Sequence, residues 1–247
     1  MEQNLTFIKS NGQKIVGKAY IPDQGNGPFP AVIFSHGFNG TFSDIEGHGH
    51  GFSEAGIICI FFDFCGGGEN SKSDGTLQEM NVLTEAEDLK VVIEEISRLE
   101  YVDSTHLFLQ GESMGGFVSA YVAAQMPEKI KGLVLWYPAF VIPDDSRKRV
   151  EDGDNTCFGL QLSPDFNTIA MSIDIYEVIG NYHGPVRIIH GDKDFVVPLS
   201  YSEKAQRTYA NAGLDVIVDA GHGFNGADSE TARCFSVSFI QENSSYK

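Results

Sequence analysis

The sequence predicts an α/β fold, a mostly parallel twisted sheet with helices on both faces, on three observations. Short, continuous apolar runs of strand length recur along the chain, as in strands buried on both faces. Segments with helical periodicity alternate with them, which calls for parallel strands joined by helical crossovers. A hairpin signal precedes the first crossover. The 247 residues suit one domain of this class, and a hydrophobic fraction of 42% supports a core of the required size.

The elements follow in order. Residues 5–9 and 14–21 read as strands joined by the hairpin dipeptide Asn11-Gly12. Beyond the turn-rich stretch 22–30, Ala31-Val32-Ile33-Phe34-Ser35 is the first central strand and residues 57–64 are the second. Residues 83–99 place Leu89, Val92, Ile93 and Ile96 on one face at three-to-four spacing, a helix. Residues 105–110 form a strand, and 116–126 a helix stopped by Pro127. Strands at 132–136, 186–190 and 215–219 and helices at 200–211 and 227–241 complete the alternation. The stretch between Trp136 and Val186 lacks a core-strand signal and is far longer than a routine connection of ~2–6 residues. Residues 139–183 are therefore read as an inserted lid over the C-terminal edge of the sheet, with 1–138 and 184–247 as the core.

Composition narrows the function. With 17 basic and 34 acidic residues the net charge is −17, which argues against binding nucleic acid or an anionic membrane surface. Cys59, Cys65, Cys157 and Cys234 are scattered without paired spacing, so neither a zinc site nor a disulfide framework is expected. The first residues lack a basic region followed by an apolar one, and no apolar run approaches ~20 residues. A cytoplasmic protein without metal or organic cofactor is the expectation.

The most informative stretch is Gly111-Glu112-Ser113-Met114-Gly115, between a strand and a helix. A G-x-S-x-G in that setting forms a strained turn that lifts a serine hydroxyl to a helix N-terminus. A nucleophilic serine needs a base, the base an orienting acid, and the oxyanion a set of donors. Asp192 and Asp194 follow the strand at 186–190. Asp194, leading into an apolar segment able to bury it, is the expected acid, and Asp192 the turn stabiliser. His222, flanked by Gly221 and Gly223 after the last strand, is the expected base. Ser35-His36-Gly37-Phe38 ends the first central strand; it reads as a turn braced by His36, and also as one half of an oxyanion hole formed by the Phe38 and Met114 amides. Among the other histidines, His48 and His50 read as surface-helix residues and His190 as strand-end packing. Cys65-Gly66-Gly67-Gly68 lacks nucleotide-binding spacing and reads as a loop.

With these parts in the order serine, acid, histidine, the chain resembles the α/β-hydrolase superfamily along nearly its whole length. Ser-His-Gly-Phe at 35–38, Gly-Glu-Ser-Met-Gly-Gly at 111–116, His-Gly-Asp-Lys-Asp at 190–194 and Gly-His-Gly-Phe at 221–224 are similar to those of the bacterial cinnamoyl (feruloyl) esterases. The resemblance implies a serine carboxylesterase acting on small hydroxycinnamate esters, with a lid over the acyl pocket. It also implies that an early-lid aspartate, Asp144 or Asp145, and the late-lid Tyr176 contact the ring hydroxyls. A general acyl esterase, thioesterase or peptidase of the same fold would instead use Tyr176 for packing. A non-catalytic receptor would be expected to lack a triad member. Exposed apolar lid surface would suit a homodimer.

Overall fold

Neighbouring residues of a strand point to opposite faces, so an uninterrupted apolar run is stable only where both faces are covered. The computed structural model describes residues 1–25 and 27–244 and shows such an arrangement; Asn26, in the turn-rich stretch, lies outside the described residues. The strands are β1 (Glu2–Ile8), β2 (Lys14–Tyr20), β3 (Phe29–Ser35), β4 (Ile58–Phe62), β5 (Val102–Glu112), β6 (Gly132–Trp136), β7 (Thr156–Cys157), β8 (Leu160–Gln161), β9 (Val186–Gly191) and β10 (Ala212–Ile217). Eight of them form one sheet in the order β1-β2-β4-β3-β5-β6-β9-β10. The β1/β2 and β2/β4 pairs are antiparallel, and all other neighbours in the sheet are parallel.

The pleat sorts the core into two layers. Ile33, Ile58, Ile60, Leu133, Leu135 and Ile188 point to one face, where they meet α3 (Val82–Ile96) and α4 (Ser113–Gln125). Val32, Phe34, Cys59, Phe61, Val134 and Ile189 point to the other, which α9 (Gly226–Ser244) covers. The short helices α1 (Phe42–Ile45) and α2 (Gly49–Glu54) lie on that second side, and α8 (Leu199–Thr208) packs on the first. Asn81 starts α3 by accepting the Leu83 and Thr84 amides, which satisfies donors the first helical turn leaves free.

The segment between β6 and β9 contains α5 (Ile142–Asp152), the β7–β8 hairpin, α6 (Phe166–Met171) and α7 (Ile175–Ile179). Its Leu162, Phe166, Ala170, Ile175 and Ile179 are buried in the same apolar cluster as α3 and α4. The last strand differs from expectation. It runs from Ala212 to Ile217 rather than over 215–219, because pairing starts at Ala212 opposite Val186 and leaves Val218 exposed past the end. No helix among the described residues is long and apolar enough to cross a membrane.

One buried group works against stability. Glu85 on α3 is fully buried, and neither carboxyl oxygen has a hydrogen-bond partner among the described residues. Nearby, Lys9 pairs with Asp88 at 2.5 Å. Burial, reinforced by the Asp88 charge, pushes the Glu85 carboxyl well above its ordinary range. The folded state therefore keeps a proton that the unfolded chain releases above about pH 4.3, and stability falls as pH rises through that window. Glu85→Met is expected to raise Tm by a few degrees at pH 8, corresponding to ~1–2 kcal/mol, and by almost nothing at pH 4. Melting curves of the two proteins across that range check it; a constant offset would show that Glu85 is ionised and satisfied in the fold.

Candidate active site

Four strand ends deliver the candidate residues to one edge of the sheet. β5 runs directly into α4, and Ser113 stands at the junction with a positive φ of 49°. A left-handed conformation at a non-glycine residue costs ~1–3 kcal/mol and persists only where its surroundings enforce it. Enforcement is visible at two glycines. A Cβ on Gly111 would sit 2.3 Å from the Gly115 carbonyl oxygen, and one on Gly115 would sit 2.3 Å from that of His36. The turn can close against β3 only with glycine at both positions.

Beyond β9, Asp194 is held in place from several sides. Its Oδ1 accepts the Val196 and Val197 amides at 2.9 and 2.8 Å. Its Oδ2 faces His222 Nδ1 at 2.7 Å and His190 Nε2 at 3.2 Å. Burial by itself would raise this carboxyl. The hydrogen bonds from His190, His222 and the Val197 amide outweigh it and hold the group well below the usual carboxylate range. An ionised Asp194 places the proton of His222 on Nδ1, so Nε2 is free to accept from the Ser113 hydroxyl 3.0 Å away. The result is a continuous chain of hydrogen bonds from Ser113 through His222 to Asp194.

His190 is more than packing. Its Nε2–H lies 2.9 Å from the Val197 carbonyl and also faces Asp194, while its Nδ1 accepts from Ser202 Oγ at 2.6 Å. Asp192 bonds the Asp219 amide at 2.7 Å and so ties the β9 loop to the end of β10. In the loop after β3, His36 donates from Nδ1 to the Gly37 carbonyl at 2.8 Å, and its Nε2 accepts from the Phe64 amide at 3.2 Å. That brace presents the Phe38 backbone beside Ser113. Neither the Phe38 nor the Met114 amide has a hydrogen-bond partner among the described residues. Donors left free next to a nucleophile suit a developing oxyanion.

Two cavities meet at Ser113, and Phe38 and Phe158 line both. One, of about 440 Å³, includes His222, Glu112, Asp44 and Trp136 in its wall. The other, about 60 Å³ and mainly apolar, runs past Met114 toward Ile142, Phe166, Asp145 and Arg149. Phe158 sits at the tip of the β7–β8 hairpin with φ 49° and stands 74% exposed between them.

The structure separates the three residues that resemblance assigned to ring contacts. Asp145 borders the narrow cavity that contains Ser113. Asp144 and Tyr176 do not; they line a different depression behind Phe140. Tyr176 donates its hydroxyl to the Tyr201 carbonyl at 3.2 Å and its ring lies under Lys204 Nζ at 3.7 Å. Asp144 accepts from Tyr201 at 2.8 Å and pairs with Arg147. The α7 face carrying Tyr176 is turned toward α8, so position in sequence did not convert into proximity to Ser113.

His48 also departs from expectation. It ends a short 3-10 turn after α1, and its ring packs edge-on to Trp136 at 5.1 Å in the cavity wall instead of on the surface. Burial lowers its basicity. Two further residues escaped sequence reasoning, although Glu112 is the variable position of the elbow motif and Tyr137 immediately follows β6. Tyr137 adopts φ 35°, donates its hydroxyl to Glu112 Oε2 at 2.7 Å, and sets its ring edge-on against the His222 imidazole at 4.8 Å. Burial raises the Glu112 carboxyl, with the Tyr137 hydrogen bond opposing.

Known proteins resemble this chain in sequence and in fold. A Yersinia pestis protein named "Putative carboxymethylenebutenolidase" is 25% identical over 89% of this chain and 78% of its own length. The mouse mitochondrial palmitoyl-protein thioesterase ABHD10 is 26% identical over 87% of this chain and 74% of its own. Among solved structures, Est1E from Butyrivibrio proteoclasticus with bound ferulic acid superposes with a TM-score of 0.83 at 24% identity, covering 96% of this chain and 100% of that one. The family model described as serine aminopeptidase S33 matches residues 27–163, more than half of the chain. The chain is an α/β-hydrolase and belongs to the serine aminopeptidase S33 family.

Proposed function

We propose that the protein is a serine carboxylesterase acting on hydroxycinnamate-type esters. The observation that carries the reading is the Ser113–His222–Asp194 hydrogen-bond chain, with 3.0 and 2.7 Å links, beside two free backbone donors. Ser113 Oγ attacks the ester carbonyl while His222 Nε2 takes its proton. The Phe38 and Met114 amides stabilise the tetrahedral oxyanion. His222 then protonates the departing alcohol, and water, activated by the same imidazole, releases the acid. No metal enters these steps.

The aromatic preference is supported by the likeness to the ferulic acid-bound Est1E and by the apolar slot between Met114 and Phe166. Residues 139–183 supply one wall of that slot and act as its lid. Asp145, at the slot's border, is the group placed to accept a ring hydroxyl. Partial burial raises its carboxyl and Arg149 opposes that rise. A second reading, a short-chain acyl esterase, draws on the narrowness of the slot, about 60 Å³.

Comparing kcat/KM for methyl ferulate, methyl cinnamate and methyl butyrate tests the assignment. A preference for ferulate supports the first reading, and a preference for butyrate overturns it in favour of the second. Asp145→Ala is expected to lower kcat/KM for ring-hydroxylated esters about tenfold, within the ~1–3 kcal/mol of a lost polar contact, and to spare cinnamate. Tyr176→Phe should leave the ratio of the two substrates unchanged, because its hydroxyl is engaged by Tyr201. A change in that ratio for Tyr176→Phe alone would reverse the assignment.

A further inference from the structure

His222 fixes which cavity holds which half of the substrate. The imidazole that takes the Ser113 proton must return it to the departing atom, so the leaving group has to lie on the side lined by His222. That side is the 440 Å³ cavity; the narrow slot past Met114 has no His222 in its wall and takes the acyl group.

The leaving-group cavity carries an unbalanced charge. Asp44 and Glu112 both line it, and none of its lining residues is a lysine or arginine. Asp44 uses a single oxygen, Oδ2, to accept the Thr41 amide and hydroxyl at 2.7 and 3.0 Å. Burial raises the Glu112 carboxyl, while the hydrogen bonds it accepts from the Tyr137 hydroxyl and the Gly37 backbone, with the His222 imidazole facing it, favour its carboxylate. Asp44 is the more exposed of the two acids. Arg233, whose charge acts on His48 in the wall, is paired with Glu230. His48, whose burial disfavours its cation, adds no compensating charge. Much of the remaining wall is aromatic: Phe224 packs edge to face on Tyr137 and at a tilt against Trp136, and Phe158 lines the cavity as well. Carboxylates combined with aromatic faces stabilise an organic cation by Coulomb attraction and by ring quadrupoles, and they repel an anion.

We propose that this cavity selects esters whose leaving group bears a cation, an alkylammonium alcohol above all, and rejects those with an anionic leaving group. The inference rests on the reading of Ser113 as nucleophile. In the reaction the Ser113 Oγ–carbonyl bond forms as its proton moves to His222 Nε2. The carbonyl–oxygen bond of the alcohol breaks as that proton passes to the alcohol oxygen. The ammonium group keeps its charge throughout and leaves with the alcohol. Water then cleaves the acyl-enzyme and restores the serine hydroxyl.

The decisive pair is isosteric. Two methylphosphonate thioesters, one leaving as thiocholine and one as 3,3-dimethylbutanethiol, differ in charge and hardly in shape, and both report on Ser113 by mass shift. Butyrylcholine and 3,3-dimethylbutyl butyrate give the same comparison by turnover. The cationic member of each pair is expected to react about tenfold faster or more at low salt, with the advantage shrinking as ionic strength rises. Asp44→Asn and Glu112→Gln should each reduce that ratio severalfold, the second while still accepting from Tyr137. Asp44 lies farther from the elbow, so it keeps the test open if the Glu112 variant folds poorly. Equal rates for the two members with Ser113 labelled would overturn the charge selection and leave the esterase reading standing. No labelling of Ser113 by either would overturn both.

Discussion

Ser113→Ala is expected to abolish ester hydrolysis while leaving the fold and Tm close to those of the parent. Removing the nucleophile of a serine triad costs about 10⁴–10⁶ in turnover, because the base and acid have no other route to a covalent intermediate. The structural cost is small by comparison. Alanine keeps the Cβ, so the φ of 49° is no harder to hold than before, and only the 3.0 Å bond to His222 is lost. Ser113→Gly provides the contrast: it should be equally inactive but slightly more stable, since glycine adopts left-handed φ without the steric penalty. Fluorophosphonate labelling followed by intact-mass measurement, together with hydrolysis of a neutral ester, checks both. Activity of either variant within tenfold of the parent would remove Ser113 from the mechanism.

The sheet was legible because its signal is local. Runs such as Ala31 to Phe34 and Leu133 to Trp136 bury side chains on both faces, and a fully buried strand has few alternatives to a continuous apolar pattern. The candidate triad was legible for a related reason: each member follows a strand end, and strand ends of a parallel sheet share one edge. What the sequence left open is set by tertiary packing. Tyr176 and Asp145 both belong to the segment between β6 and β9, yet α7 turns one toward α8 while α5 brings the other to the Ser113 slot. No periodicity encodes that choice. Glu112 and Tyr137 were hidden because their roles are pairwise; their hydroxyl–carboxyl contact joins two strands, and neither residue belongs to a motif alone. His48 carries a polar label that suggests solvent, and the edge-on contact with Trp136 overrides it.

Asp194→Asn is expected to lower kcat by about 10³–10⁴ at neutral pH, whereas Asp192→Asn should change it by less than about threefold. Geometry explains the asymmetry. Asp194 Oδ1 is claimed by the Val196 and Val197 amides, so the oxygen of an asparagine would occupy that position. Its NH₂ would then replace Oδ2, presenting a donor to His222 Nδ1 where an acceptor stood. The imidazole would answer by moving its proton to Nε2, and a protonated Nε2 cannot take the proton of Ser113. The imidazolium formed during attack would also lose its counter-charge. The Asp192 side chain accepts from the Asp219 amide, and an asparagine oxygen accepts that bond equally well; its own amide bonds the Ile217 carbonyl, which the substitution leaves in place. Stability gives an independent readout. The Asp194 carboxyl is held below the usual range, so its contribution is present above the unfolded value of ~3.9 and is lost as pH falls through the lower folded value. The Tm difference between parent and Asp194→Asn should therefore be largest above pH 5 and narrow under acid conditions. A steady-state pH profile and a melting series on both variants decide it, and a larger kcat loss for Asp192→Asn than for Asp194→Asn would transfer the orienting role to Asp192.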